Sequence, residues 1–272
     1  MTNRSKVEAD SETGPDEWEL LEHLPFTTDA GFGSAARIGV VVLASDFTLD
    51  REFRQIFTAP EVDYYTARLQ NSMAITPTTL AAMESGIPAT LQLILPGEKL
   101  DVVAYGCTSA TTVLGEDVVR KRIQQVQPEA QITTPITAAF AAFKACGAQR
   151  IAVLTPYRSD VNEAVHRYIT AAGFEVPVFG SFNEQQDPIV ARIDSRSIAS
   201  GIDKLVTGRD IDMVFVSCTS VRMIDSVVEL ERHVGLPVTS SNLAMAWHCL
   251  RLSGVDDCMP QWGSLFSQAL VT

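Results

Sequence analysis

The sequence has few of the features that would assign it to several common protein classes. It has five cysteines, an odd number, and none forms a C-x-x-C pair, so we expect no disulfide framework. Its four histidines are scattered without zinc spacing, so we expect no metal site. No apolar run approaches the roughly 20 residues that span a bilayer, and the N-terminus lacks the apolar stretch of a secretory signal. These absences favour a protein of the reducing cytoplasm with no membrane partner.

Positive charge is also scarce. The chain has 21 Lys and Arg against 33 Asp and Glu, a net charge of −12. We interpret residues 1–36 as an acidic, partly disordered tail, because they are polar and carry much of this excess. The rest of the chain shows no basic face, so we expect no nucleic-acid partner. A small carboxylate remains a possible ligand, since a few amides or one arginine can bind it.

From Arg37 onward the sequence alternates buried-strand and helix patterns, and the series occurs twice. Three segments recur in the same order at an offset of 111 to 114 residues: RIGVVVLASD as RIAVLTPYRSD, EVDYYTA as FEVPVFG, and DVVAYGCTS as DMVFVSCTS. Alternating strands and helices predict parallel sheets with right-handed crossovers. We therefore predict an α/β fold of two Rossmann-like halves related by a pseudo-two-fold, with the active site between them.

The domain boundaries follow from the duplication. Residues 37–138 make up most of the first half, and residues 139–239 the second. The segment LPVTSSNLAMAWHCLRLSG adds a further short strand and a helix that could cross back. Residues 240–272 are therefore assigned to the first half.

Each half carries a cysteine followed by two hydroxyl residues, where a predicted strand meets a predicted helix. Open α/β sheets bind ligands at this edge, and a helix N-terminus lowers a thiol pKa and binds carboxylates. We predict Cys107 and Cys218 as catalytic thiols. The neighbouring hydroxyls would bind substrate: Thr108, Ser109, Thr219 and Ser220. The alternative is that the cysteines are small residues closing tight turns and the hydroxyls only cap helices.

A pseudo-two-fold would place the two cysteines on opposite sides of one cleft. A planar carbon held between two thiols can lose a proton from one face and regain it on the other. The sequence therefore indicates racemisation or isomerisation of a small carboxylate.

At these residues the chain resembles the Asp/Glu racemase superfamily. The resemblance covers about residues 37–255 and implies catalysis without cofactor or metal. It implies that Cys107 and Cys218 are the first and second catalytic cysteines, and that Tyr157 contacts a substrate carboxylate. Asn183 falls on another substrate contact of the family. Without the resemblance, Tyr157 could equally be a packing residue.

Within the superfamily, the maleate isomerase and arylmalonate decarboxylase branch fits best. The segments that carry this similarity are RIAVLTPYRSDVNEAVHRYITAAGFEV and SCTSVRMIDSVVELERHVGLPVTSSNLAMAWHCLRLSG. The stretches AYGCTSATTVLGED, ITTPITAAFAAF and FGSFNEQQDP look most like the ectoine-utilisation (EutA) proteins. This resemblance implies a role in ectoine-type catabolism.

One position departs from the isomerase pattern. Asp46 lies where the maleate isomerases carry an asparagine, and a carboxylate there would repel a second substrate carboxylate. Asp46 therefore favours a substrate that contains nitrogen, unless it only caps the following helix. Arg68 follows the second predicted strand and could pair with a carboxylate, or it could be exposed without a partner.

The expected function is thus a cofactor-independent isomerase or racemase. The open alternatives are a maleate cis-trans isomerase, an arylmalonate-type decarboxylase, and a metabolite-binding protein without activity. Decarboxylation requires only one cysteine, so the matched pair favours isomerisation. The amphipathic helices leave room for a homodimer.

Overall fold

The structure is a computed structural model and describes residues 20–184 and 186–271. Contacts divide the chain into the units Met1–Gly31 and Phe32–Thr272. Most of the predicted acidic tail lies in residues 1–19, outside the described residues. Residues 20–31 contain no helix or strand. In the described ranges, no helix is long and apolar enough to cross a membrane.

The first half contains a parallel four-stranded sheet with the strand order β2-β1-β3-β4. Its strands are Ala36–Leu43 (β1), Val62–Leu69 (β2), Val102–Gly106 (β3) and Gln131–Thr133 (β4). The central strands β1 and β3 are buried almost throughout. This burial accounts for their continuous apolar runs, which are typical of parallel strands covered on both faces.

The second half repeats this arrangement with the strand order β6-β5-β7-β8, again parallel. Its strands are Arg150–Thr155 (β5), Glu175–Ser181 (β6), Met213–Val216 (β7) and Val238–Ser240 (β8). The predicted α/β class with two parallel-sheet halves is confirmed.

Helices connect the strands in both halves. In the first half they are Leu49–Ile56 (α1), Pro77–Ala81 (α2), Ile87–Leu91 (α3), Thr108–Leu114 (α4), Glu116–Gln124 (α5) and Pro135–Ala145 (α6). In the second they are Ser159–Ala171 (α7), Asp187–Val190 (α8), Ser195–Val206 (α9), Val227–Val234 (α10) and Ser241–Leu252 (α11). Short 3-10 turns cover Glu84–Gly86, Pro260–Trp262 and Ser264–Ser267.

A repeated side-chain contact supports the duplication. The carboxylate of Asp101 accepts a 2.7 Å hydrogen bond from the amide of Arg37, just before β3 and at the start of β1. In the second half, Asp212 accepts a 2.7 Å bond from the amide of Arg150 in the same way. The two halves therefore share a contact at the amino ends of their central strands as well as their strand order.

The last helix of each half packs on the other half. Phe143 of α6 contacts Phe215 of β7 edge to face, with ring centroids 5.6 Å apart. In return, α11 contacts β3 and β4, where Nδ1 of His248 lies 2.8 Å from Oγ1 of Thr133. The helix α11 therefore follows β8 of the second half but packs against the sheet of the first. The boundaries 37–138 plus 240–272 and 139–239 stay a prediction.

Two helical segments of the first half are interrupted. The segment from Thr76 to Leu95 forms α2, a 3-10 turn and α3, with Pro88 in the first turn of α3. Gly115 ends α4 with a φ of 85° and lies directly before α5. That backbone conformation is open to glycine at little cost, so Gly115 separates α4 from α5.

The position of Cys107 depends on close packing between the end of β3 and α1. Gly106 is the last residue of β3 and precedes Cys107. A Cβ atom on Gly106 would lie 2.6 Å from Cδ1 of Leu49 and 3.0 Å from the carbonyl oxygen of Val41. Glycine therefore lets α1 lie directly against the carboxyl end of β3.

Candidate active site

The two cysteines line one small cavity, although they lie in different halves. Cys107 follows β3 and Cys218 follows β7, and each is only 4% exposed. Tyr157 and Asp187 also line this cavity, whose volume is about 20 Å³. The carboxyl ends of the two sheets therefore meet around the thiols, as the duplicated pattern predicts.

Cys107 occupies the N-cap position of α4. Its backbone is extended, and its Sγ accepts a 3.4 Å hydrogen bond from the amide of Ala110. The Ser109 hydroxyl lies 3.7 Å from the same sulfur. The predicted placement of Cys107 at a helix N-terminus is confirmed.

Cys218 has a different backbone setting. The residues after β7 form turns, and α10 does not begin until Val227. The prediction that a helix starts directly after Cys218 is therefore wrong. Its thiolate would instead be stabilised by hydrogen bonds from the Tyr157 hydroxyl and the backbone amide of Ser220.

The predicted low thiol pKa is also wrong for this closed site. Burial raises the pKa of Cys107 to about 12, against the weaker lowering by the Ala110 amide and Ser109. Burial, with Asp187 as the next cause, raises the pKa of Cys218 still further. Both thiols are therefore neutral in the closed cavity, because water that would solvate a thiolate is excluded.

The hydroxyl residues after each cysteine line the cavity, and each has its own contacts. Oγ1 of Thr108 lies 2.8 Å from Oγ of Ser241, the first residue of α11. Ser220 donates a 2.6 Å hydrogen bond to Oδ1 of Asp187. Thr219 is buried in the cavity wall. These residues therefore form a polar surface near the thiols, and hydrogen bonds to α11 and α8 hold Thr108 and Ser220 in place.

Tyr157 reaches the cavity from the loop after β5. Its backbone amide donates a 3.2 Å hydrogen bond to Oγ1 of Thr155, and its carbonyl accepts a 2.8 Å bond from the side-chain Nδ2 of Asn162. The side chain is 2% exposed, and its hydroxyl is within hydrogen-bonding reach of Cys218 and Ser109. Burial holds the tyrosine pKa well above its usual value. The hydroxyl is therefore a donor toward the second thiol.

Asp46 is buried and is not one of the residues that line the cavity. Its Oδ1 accepts hydrogen bonds of 2.7 Å and 2.9 Å from the amides of Thr48 and Leu49, so it caps α1. Oδ2 makes no hydrogen bond of normal geometry, although the nearby Thr219 hydroxyl favours the ionised form. Burial raises the pKa of Asp46.

Two other predicted site residues lie away from the cavity. The Arg68 guanidinium donates hydrogen bonds of 3.1 Å and 2.7 Å to the carbonyls of Leu43 and Asp46. It therefore holds the backbone after β1 rather than facing the thiols. Asn183 is exposed in a left-handed conformation with φ of 56°, and its amide bonds to Oγ of Ser181.

Asp187 and Asn71 also line the cavity, although neither was predicted as a site residue. Asp187 starts α8 and is 5% exposed, with both carboxylate oxygens bonded to serine hydroxyls, those of Ser45 and Ser220. Asn71, in the loop after β2, donates a 2.8 Å bond to Oγ of Ser45. Both residues follow the second strand of a half, which is the signal that could have found them.

A third missed residue, Glu52, holds the backbone near Cys218. Glu52 lies between Leu49 and Ile56 on the buried face of α1. Its Oε1 accepts bonds of 2.7 Å and 2.9 Å from the amides of Met223 and Ile224. A charged residue on an apolar helix face must find partners when it is buried, and that pattern was visible in the sequence.

Comparisons with known proteins agree with this fold. The arylmalonate decarboxylase family profile matches residues 95–266. The chain belongs to the arylmalonate decarboxylase family. A maleate isomerase of Pseudomonas putida is 27% identical to this family member over 250 residues, which cover 86% of this chain and 98% of the relative. The arylmalonate decarboxylase of Bordetella bronchiseptica is 29% identical over 139 residues, covering 50% of this chain and 58% of the relative.

Solved structures share the fold of this family member. A cysteine-to-alanine variant of a Pseudomonas putida maleate isomerase with maleate has a TM-score of 0.79 and 24% identity, over 87% of this chain and 99% of that one. A Nocardia farcinica maleate isomerase variant, with a covalently bound succinylcysteine intermediate, has a TM-score of 0.74 and 23% identity. The latter match covers 85% of this chain and 98% of that one.

Proposed function

We propose that this protein is a cofactor-independent isomerase or racemase that acts on a small carboxylate with two cysteines. The observation that carries the proposal is that Cys107 and Cys218, from different halves, line one cavity. A decarboxylase that reprotonates one face needs a single thiol. Two thiols at one cavity suit a reaction in which each face of a planar carbon meets an acid or a base.

The two thiols would exchange the roles of base and acid. Cys107, as thiolate, would take a proton from the substrate carbon, with the Ala110 amide and Ser109 stabilising its charge. Cys218, as neutral thiol, would return a proton to the opposite face and become a thiolate that Tyr157 stabilises. The reverse reaction starts from the other thiolate, so one site serves both stereoisomers.

The substrate carboxylate would bind at the start of α4. Thr108 and Ser109 offer hydroxyls there, and the first turn of the helix offers free amides and a partial positive charge. A cavity of about 20 Å³ holds about one water. Substrate entry therefore requires the covering loops to move, including the bridge between Ala74 and Gln186.

A second candidate is maleate cis-trans isomerisation, which the full-length similarity to the Pseudomonas putida maleate isomerase favours. Here the Cys107 thiolate would add to one alkene carbon while Cys218 gives its proton to the other. Rotation about the resulting single bond, followed by return of a proton from the protonated carbon to Cys218 and release of the Cys107 thiolate, would give the trans acid. The succinylcysteine of the Nocardia farcinica variant is an adduct of this kind.

The predictions about the substrate, the pathway, the oligomeric state and the location also belong to this proposal. The nitrogen-containing substrate was inferred from Asp46, which does not line the cavity, so that inference needs a different residue. A role in ectoine-type catabolism, a homodimer and a cytoplasmic location also stay predictions.

Proton NMR in deuterium oxide tests the proposed function. The protein is incubated with aspartate, 2,4-diaminobutyrate and its acetyl derivatives, ectoines, maleate and aryl malonates. Incorporation of deuterium at a stereocentre without loss of carbon dioxide supports racemase activity. Formation of fumarate from maleate supports cis-trans isomerase activity. Loss of carbon dioxide would show a decarboxylase, and tight binding without any exchange would show a binding protein.

A further inference from the structure

We propose that Asp187 binds a cationic nitrogen of the substrate, so that the site selects small carboxylates that also carry an ammonium or amidinium group. This inference rests on the proposed function for the identity of the site. It assigns to Asp187 the charge selection that the sequence suggested for Asp46.

Asp187 is held in place by a chain of hydrogen bonds across both halves. Its carboxylate accepts bonds from the hydroxyls of Ser220, at 2.6 Å, and Ser45. Ser45 in turn accepts a 2.8 Å bond from Asn71, and its amide donates a 3.1 Å bond to Oδ1 of Asn71. The carboxylate is therefore oriented before any ligand binds. Two hydroxyls use only part of the roughly four acceptor positions of a carboxylate.

The cavity offers this carboxylate no positive partner. None of the described residues that line the cavity is Lys, Arg or His. In the described part of the chain, Asp187 makes no ion pair. Arg192, which follows α8, has its guanidinium carbon 5.2 Å from the ring centroid of Phe47 and donates to the carbonyl of Pro188. A buried charge with no counter-ion is costly, and a cation supplied by the ligand removes that cost.

The surroundings of Asp187 also disfavour a second negative charge. Asp46 lies close enough that its own pKa is raised in part by Asp187. Oδ2 of Asp46 is buried and makes no hydrogen bond of normal geometry. Asp187, the carboxylate that lines the cavity, would repel the second carboxylate of a dicarboxylic acid and attract a cation, and any negative charge on Asp46 adds to this effect.

A bound cation would also favour the reactive form of the thiols. The negative charge of Asp187 contributes to the raised pKa of both Cys107 and Cys218. An ammonium group next to Asp187 offsets that charge, so it lowers the free energy needed to form either thiolate. The substrate nitrogen would then contribute to binding and would also make the thiolate form of Cys107 or Cys218 easier to reach.

Three four-carbon acids that differ only at one end test this inference: 4-aminobutanoate, butanoate and succinate. Isothermal titration calorimetry measures their binding to the wild-type protein, to Asp187→Asn and to the control Asp210→Asn. Asn keeps the size and acceptor oxygen of Asp187 but removes its charge. Asp210 is 84% exposed in its side chain and precedes β7 at the opposite edge of the sheet.

We expect wild-type protein and Asp210→Asn to bind 4-aminobutanoate about 10-fold or more tightly than butanoate, and succinate most weakly. In Asp187→Asn, the preference for 4-aminobutanoate should disappear and the affinity for succinate should rise. Wild-type protein that binds succinate or butanoate as tightly as 4-aminobutanoate, or does not bind 4-aminobutanoate, overturns the inference. An unchanged preference in folded Asp187→Asn does the same.

The wild-type ranking decides the question even if Asp187→Asn does not fold. These probes report binding and undergo no reaction in the assay. Failure of the ranking therefore contradicts the role of Asp187, while failure of deuterium exchange in the NMR experiment contradicts the proposed function.

Discussion

The carboxylate of Glu52 accepts a 2.7 Å hydrogen bond from the backbone amide of Met223. This contact joins α1 of the first half to the turn that carries Cys218 in the second. The same carboxylate accepts a 2.8 Å bond from Nδ2 of Asn242, which also donates to the carbonyl of Thr219. The buried side chain of Glu52 thus holds the backbone at Met223 and Ile224, in the turns that follow Cys218.

Glu52→Gln should lower kcat about 10-fold, with less effect on KM. The new amide nitrogen would face Nδ2 of Asn242, so two donors meet and the turn after Cys218 shifts. A mismatch of buried polar groups costs about 1–3 kcal/mol of stability. Steady-state kinetics with the substrate found by NMR measure the effect. Glu163→Gln, a change of an exposed residue in α7, is the matched control. A Glu52→Gln enzyme with wild-type kcat would contradict the positioning role.

Stability should fall with rising pH because of Glu52. Burial raises the pKa of Glu52 to about 7, and the amides of Ile224 and Met223 lower it only in part. The folded protein then binds this proton more tightly than the unfolded chain does, so stabilisation is complete below the unfolded pKa of about 4.5 and is lost as pH rises to about 7.

The size of that loss is on the order of 3 kcal/mol. Urea unfolding of wild-type protein and Glu52→Gln at pH about 4.5 and about 8 measures it as a difference between the two proteins. Wild-type protein should lose stability relative to Glu52→Gln at the higher pH. A constant difference between them would show that Glu52 does not titrate in this range.

Cys107 and Cys218 should react slowly with iodoacetamide in the absence of ligand. Both are buried and have a raised pKa, so few thiolates form near neutral pH. Cys258 is exposed and serves as the internal reference. Mass spectrometry of the labelled peptides at pH about 8 should show Cys258 modified about 100-fold faster. Labelling of either cavity cysteine as fast as Cys258 would mean that the closed site is not the main state in solution.

Tyr157→Phe should reduce kcat about 10- to 100-fold, since it removes a hydrogen bond to the thiolate form of Cys218. The aromatic ring is kept, so thermal unfolding should change little. Tyr168→Phe is the control, because its hydroxyl bonds to the amide of Glu116 outside the cavity. Equal kcat in the wild-type enzyme and Tyr157→Phe would remove this hydroxyl from the mechanism.

The sheets and the cysteine pair could be predicted because they depend on local patterns. Apolar, β-branched runs mark buried parallel strands wherever they pack, and the C-T-S repeat marks the same edge in each half. The pairing of Cys107 with Cys218 followed from the duplication alone.

The electrostatics could not be predicted in the same way, because they depend on burial. A helix N-terminus lowers a thiol pKa, but the loss of water around Cys107 outweighs that effect. Asp187 lies at the cavity because the loops after β1, β2, β6 and β7 meet there. The spacing of residues in the sequence does not predict that meeting point. Asp46 was predicted as a substrate contact, with helix capping as the alternative, and the packing places its carboxylate on the amides that start α1.

Deuterium exchange by single cysteine variants tests the two-thiol mechanism most directly. Cys107→Ala and Cys218→Ala are compared with Cys249→Ala, which changes a fully buried cysteine outside the cavity. With the substrate identified by NMR, each cavity variant should lose at least about 100-fold of the exchange rate, while Cys249→Ala retains it. Full exchange in either Cys107→Ala or Cys218→Ala, with the fold intact by circular dichroism, would contradict catalysis by two facing thiols.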